Sequence, residues 1–269
     1  MKWGRGVMTL RPATLRRALL AAAMVLGALA LAVAPVASAQ PAAAARPFAA
    51  GEALPYDVSL GRFGKCGTGW LRVERAPALR GEAVELLRFD FEAKVGPFHV
   101  QHHSRSWLSQ GRLASLRYFI DERAPFQKPV QDLVELYPEQ QRWEGARARG
   151  ASTTREPLDE LSFLYAVRTL ALEPGASLRL DRHFDPRRNP VSVRVLGRER
   201  VQVPAGSFDA LLVELEVKDP QRYGGRGVLR IHLTDDARRL PVRIESEVPI
   251  AGHLVLELQR LPVAPEEES

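Results

Sequence analysis

The chain has 269 residues, 45% hydrophobic and 26% charged, enough for one large or two small domains and too apolar for a disordered or collagen-like protein. Its single cysteine, Cys66, excludes a disulfide framework and any zinc or iron–sulfur site built from several thiolates. The formal net charge of +6 suggests nucleic acid only until it is located: Lys2, Arg5, Arg11, Arg16 and Arg17 are unopposed, and without them 33 bases face 32 acids, too even to neutralise a row of phosphates.

Residues 1–39 have the three parts of an export signal: a basic start, an apolar run from Ala18 to Ala34, and Ala37-Ser38-Ala39 as a small-residue cleavage site before Gln40. The expectation is a cleaved signal peptide, with an uncleaved anchor as the less favoured reading. Arg16-Arg17 fits a twin-arginine signal less well than a general one. No cysteine stands directly after the apolar run to carry a lipid. Residues 40–47, rich in Pro and Ala, read as a flexible linker, and 48–261 as a single domain without internal repeat or linker. An acidic tail, 262–269, closes the chain. The mature protein is thus expected to be exported, in the periplasm, with no transmembrane segment left after cleavage.

From Phe48 onward the dominant apolar period is two, the mark of strands with one buried face. Phe89, Phe91, Ala93 and Val95 alternate with Arg88, Asp90, Glu92 and Lys94. Val84 and Leu86 have the other parity, which predicts a bulge near Leu87. Val191, Val193, Val195, Val201 and Val203 share one parity. The pattern returns at Leu211 to Val217, Leu229 to Leu233, Val242 to Val248 and Leu254 to Leu258. Pro204-Ala205-Gly206, Gly224-Gly225 and Gly252 punctuate these runs, and the short spacing leaves no room for crossover helices, so neighbouring strands are antiparallel.

One segment is helical in pattern, Leu158 to Leu172, with Pro157 in the first turn, Asp159 and Glu160 near the positive helix end, and Pro174-Gly175 as a stop. Its apolar residues spread around most of the circumference, so it should be buried on most sides. The predicted architecture is mainly β: a long curved antiparallel sheet, a half-barrel or open barrel, wrapped around one buried α-helix.

Four segments together resemble the domain of unknown function 3108 family. They are Phe48-Ala-Ala-Gly51-Glu52-Ala-Leu54-Pro-Tyr56; Asp159-Glu-Leu161-Ser162-Phe-Leu-Tyr165-Ala-Val-Arg168; Gly197-Arg-Glu-Arg-Val201-Gln-Val-Pro204-Ala-Gly206-Ser-Phe208; and Asp236-Ala-Arg-Arg-Leu-Pro241-Val242-Arg-Ile244. They frame residues 47 to 260. The resemblance implies an exported bacterial protein with an all-β fold similar in outline to lipoprotein-carrier half-barrels. It implies no activity, and it says nothing of Cys66 or the histidines.

Chemistry therefore rests on the residues themselves. His99, His102 and His103 form the only local cluster of metal-ligand type, but on a strand from Pro97 to Leu108 the first and last share a face about 13 Å apart while His102 points away. A solvent-facing strand is the expectation, and no metal site is assigned. Cys66, in Gly64-Lys65-Cys66-Gly67-Thr68-Gly69, has no visible base, and those glycines complete neither a Rossmann fingerprint nor a phosphate loop. Ser162 lacks a nucleophile elbow and should bond a neighbouring carbonyl. Asp159-Glu160 and Asp235-Asp236 stand where helix starts and turns favour acids. Trp70, Trp107 and Trp143 read as core more readily than as an aromatic platform. No catalytic residue and no cofactor follows.

Tyr165 and Arg168 ride on the helix that the sheet should surround. Either they tie helix to sheet, or they line a cavity and orient a ligand head group. The reading favoured is a non-enzymatic carrier or binding module for an apolar or lipid-like ligand, with Tyr165 and Arg168 as its candidate contacts. The alternative is an envelope interaction or assembly protein with a solid core.

Overall fold

The computed structural model describes residues 46–125, 128–219, 225–248 and 252–262. The expected signal peptide, most of the linker and most of the acidic tail lie outside them. The described residues contain β1 (Ala53–Leu60), β2 (Lys65–Arg75), β3 (Val84–Val95), β4 (Phe98–Ser109), β5 (Ser115–Arg123), β6 (Val130–Tyr137), β7 (Arg142–Gly145) and β8 (Arg149–Ala151). Then come α1 (Glu160–Ala166), β9 (Ser177–Leu180), β10 (Val191–Val203), β11 (Gly206–Asp219), β12 (Gly225–Thr234), β13 (Pro241–Val248) and β14 (Gly252–Leu258). All fourteen strands form one antiparallel sheet in the order β8-β7-β6-β5-β4-β3-β2-β1-β14-β13-β12-β11-β10-β9. The predicted mainly β, open antiparallel architecture is the observed one. Among the described residues no helix is long and apolar enough to cross a membrane.

Alternation explains the sheet's two faces. Tyr56 pairs with Leu258 on one side and Gly69 on the other, and this inner face continues through Leu54, Leu71 and Leu87 and through Leu256, Ile244 and Ile231, all buried. The outer face carries charged ladders, such as Arg243 with Glu245 and Glu257, and Asp90 with Arg105 and His103. Gly67 is needed where β2 crosses β3: a Cβ there would lie 1.9 Å from the Glu92 carbonyl oxygen.

The sheet curls. Trp143 on β7 and Phe184, just beyond β9, lie near opposite ends of the strand order, yet their rings meet edge-on at 5.3 Å. The strip at Pro157 and Leu158 bridges the gap. Pro157 O accepts from Ser115 N–H at 2.7 Å, Leu158 N–H donates to Arg182 O at 2.6 Å, and Phe184 N–H donates to Leu158 O at 3.0 Å.

That strip corrects the helix bounds. Leu158 spends its backbone on a strand-like bridge, so α1 begins after Asp159, whose carboxylate accepts from Leu161 N–H and Ser162 N–H. Pro157 is not in the first turn. The helix tightens to a 3₁₀ turn at Val167–Thr169, where Thr169 Oγ1 donates to Ala166 O at 2.8 Å, and Leu170 is already extended. The expected burial holds: Leu161, Phe163, Leu164 and Val167 are all buried.

Two strand expectations are also corrected. β3 pairs across Leu87 with both neighbours without a register shift, so no bulge lies there; Leu86 instead faces outward between Glu74 and Trp107. A bulge does occur in β10, where Val195 pairs with Val213 and Gly197 with Leu212, leaving Leu196 as the extra residue, 48% exposed. Val201 and Val203 therefore lie on the opposite face from Val191, Val193 and Val195. All five are buried, and the β10–β11 turn closes against β14 through Ala205 N–H donating to Leu258 O at 2.9 Å.

Candidate functional site

The inner face is not filled everywhere. Between α1 and strands β11 to β13 lies a cleft of about 200 Å³. Its apolar walls are Phe163 and Leu164 from the helix and Leu215, Val217 and Leu229 from the sheet; Glu160, His183 and Arg188 form its polar side. The alternation of β11 turns Leu215 and Val217 inward, and pairing places Leu229 beside Leu215.

The polar side descends from partly exposed Glu160 and Arg188, which form an ion pair, to buried His183. Burial alone would raise the Glu160 carboxyl, but the charge of Arg188 and the nearby His183 outweigh it and hold the group at about 2. Beneath it, the helix cap is a dry polar knot. Ser106 Oγ donates to Asp159 Oδ2 at 2.6 Å, Ser115 Oγ donates to Ser162 Oγ at 2.8 Å, and Ser162 Oγ donates to Asp159 O at 3.1 Å. Burial pushes Asp159 up to about 6, against the bonds from Ser106 and Ser162 that favour its charge.

Tyr165 and Arg168 are placed elsewhere. Arg168 makes a two-pronged pair with Glu52, 2.7 Å on each side, and also donates to Pro47 O at 2.8 Å and Arg238 O at 3.0 Å. Tyr165 packs edge-on against Phe48, 5.0 Å between centroids, and its hydroxyl donates to Arg72 O at 3.3 Å. Neither lines the cleft. Arg168 ties the helix end to the segment entering β1 and to the β12–β13 turn, and Tyr165 ties it to Phe48 and to β2, so neither contacts this cleft.

The other residues singled out in the sequence scatter. His99 and His103 are on the outer face of β4, near Glu92 and Asp90 respectively. His102 is not on the solvent face: it turns inward, stacks on Phe91 at 5.5 Å and lies 3.7 Å from Glu122. Cys66 occupies the irregularity between β1 and β2, and partial burial pushes its thiol up, away from the reactive thiolate. Trp143 is core, but Trp70 and Trp107 stand on the outer face under the guanidinium groups of Arg72 and Arg117, correcting their expected burial.

Sequence reasoning did not find the cleft. His183 and Arg188 sit in an irregular segment around Pro186–Arg188, where no period marks burial, and only the run Asp181-Arg-His-Phe-Asp-Pro186 hints at a turn enclosing an aromatic pair.

Comparison with known proteins gives a family and a distant likeness. The model for a family described as "Protein of unknown function (DUF3108)" matches residues 55–259. No curated protein matches the chain. Among solved structures, a beta-barrel-like protein of the DUF1849 domain of unknown function from Brucella abortus aligns with a TM-score of 0.49 and 10% identity, over 78% of this chain and 96% of that one.

Proposed function

The chain belongs to the DUF3108 family, whose description carries no activity, and from that premise we propose that it is an exported, non-catalytic binding module that shelters an apolar or lipid-like molecule beside α1. The observation that carries the reading is the cleft itself: five large apolar side chains converge on open space next to a helix otherwise packed into the sheet. The non-catalytic part is supported by what the possible nucleophiles are doing. Ser162 Oγ is committed to the helix cap, and the Cys66 thiol is raised. Export is supported by the leader, and N-terminal sequencing of exported protein should begin at Gln40.

The test is uptake of the fluorescent probe N-phenyl-1-naphthylamine by the folded protein, with mass spectrometry of whatever copurifies. Leu215→Trp and Leu229→Trp each fill the cleft and should abolish uptake while leaving the far-ultraviolet circular dichroism unchanged. Uptake by the filled variants equal to the parent would overturn the reading. The alternative, docking of an envelope partner along a sheet edge, has less support, because the edge strands β8 and β9 are only three and four residues long and offer little template for pairing.

A further inference from the structure

We propose that the cleft holds one unbranched hydrocarbon chain of about eight carbons, entering methyl end first with its head group left outside, and that Gly227 sets how much of the chain fits. This rests on the binding reading above and names the class of molecule bound, a single-chain amphiphile.

The ladder registers show how the cleft arises. Three successive inward rows cross the strands beneath α1. In the first, Val213 of β11 pairs with Ile231 of β12, which pairs with Ile244 of β13, and all three are buried. In the second, Leu215 pairs with Leu229 and Leu229 with Ser246; Leu215 is buried, but Leu229 and Ser246 are only half-buried. In the third, Val217 pairs with Gly227, and both are half-buried. Side chains therefore shrink in one direction on neighbouring strands, from Ile231 through Leu229 to Gly227 and from Ile244 to Ser246. Alternation aims each of these positions at the helix. Where glycine supplies no side chain and serine a short one, space is left beside Phe163 and Leu164.

The same rows give the space a direction. The buried row of Val213, Ile231 and Ile244 lies beyond the lining and closes one end, and burial falls toward Val217 and Gly227 at the other. A head group pushed against the closed end would lose water and meet only hydrocarbon, so the methyl end leads.

Size and shape decide the occupant. A dry cavity of about 150 Å³ lined by leucine, isoleucine and phenylalanine takes one benzene, with its six carbons. At that packing the cleft's volume of about 200 Å³ takes about eight carbons, too few for the two chains of a membrane lipid. The lining runs along the strands over two rows about 7 Å apart, which suits a slim chain.

The experiment is calorimetric titration of the folded protein with n-alkyl glucosides from butyl to dodecyl, each below its micelle concentration. Affinity should rise about fourfold with each added methylene while the chain is still entering the cleft, and level off at about eight carbons. Dioctanoyl phosphatidylcholine should bind no more tightly than octyl glucoside. Gly227→Val, a residue suited to a strand, adds three carbons at the open end and should bring the plateau forward by about three carbons. Leu229→Ala removes three and should delay it by about as many. Affinity that climbs steadily to dodecyl, a phospholipid that binds more tightly, or a plateau that either folded variant leaves in place would overturn the inference. So would a parent that takes up N-phenyl-1-naphthylamine but none of the glucosides, and in each of these cases an apolar binding module still stands. A parent that takes up neither would overturn both.

Discussion

Arg168 and Glu52 form a buried, two-pronged ion pair, 2.7 Å at each prong, between the turn that ends the helix and the segment that enters the first strand. The pair is enclosed by rings, with the centroids of Phe48 and Tyr165 at 5.4 and 5.5 Å from the guanidinium carbon. Breaking such a pair strands a charge in a dry site, so Arg168→Ala should lower stability by about 3–5 kcal/mol. Arg168→Met combined with Glu52→Gln, which removes both charges, should recover a large part of that loss in chemical denaturation. Probe uptake by the folded fraction should be unchanged in both, since neither residue lines the cleft.

Leu161 and Leu164 separate packing from binding. Leu161 is buried on the side of α1 away from the cleft lining, and Leu161→Ala should cost about 2–5 kcal/mol in urea unfolding. Leu164 borders the cleft, so Leu164→Ala enlarges an existing space; it should cost less and should raise the volume of ligand that can be held. Equal costs for the two, with no change in uptake, would mean that the cleft is closed in solution.

Two adjacent carboxyls should give stability opposite pH dependences. Asp159 holds its proton more tightly in the folded chain, at about 6 against an ordinary 3.8, so the folded state carries the extra proton between those values and stability falls as pH rises through that window, by on the order of 2–3 kcal/mol. Glu160 is held at about 2 against an ordinary 4.5, so its contribution is present above pH 4.5 and is lost as pH falls toward 2, by less because the group is partly exposed to solvent. Thermal melting should therefore peak near about pH 4 among profiles that isolate these groups. Asp159→Asn should flatten the profile between about pH 4 and 6, and Glu160→Gln should flatten part of the acid limb.

Leu196 tests the bulge. As the extra, exposed residue of β10 it can become polar at little cost, and Leu196→Ser should stay within about 0.5 kcal/mol of the parent. Deleting it is different, because the residues beyond it then change face and Val201 and Val203 leave their burial sites. The deletion should cost on the order of several kcal/mol or abolish a cooperative melt. A deletion that melts like the parent would show that the register shift is dispensable.

The strands were legible because half-buried sheets write a period of two into the chain, and the runs around Phe91, Val213, Ile231 and Leu256 stand where alternation places them. What alternation cannot show is where the count slips. The five valines of β10 read as one face until pairing reveals Leu196 between them, and the supposed slip at Leu87 arises because Leu86 is apolar and outward. The helix was legible as apolar on most sides, but its start was hidden, since Leu158 is claimed by a partner some two dozen residues further on. The cleft was least legible of all. Arg168 and Tyr165 drew attention as polar residues on a buried helix, whereas His183 lies in an irregular turn whose burial depends wholly on contacts between distant segments.

The place of β1 and β14 in the sheet has a consequence for assembly. Every other ladder joins strands consecutive in the chain, so each half of the sheet can grow as a meander outward from the middle, at small cost in loop closure. Only the seam, where Tyr56 meets Leu258 and Gln259 donates to Asp57 at 2.6 Å, must wait for the two ends of the domain to find each other. Truncation before Gly252 would therefore not trim the margin of the protein. It would split the sheet down its centre and leave β1 and β13 as two long raw edges, each ready to pair with a neighbouring molecule.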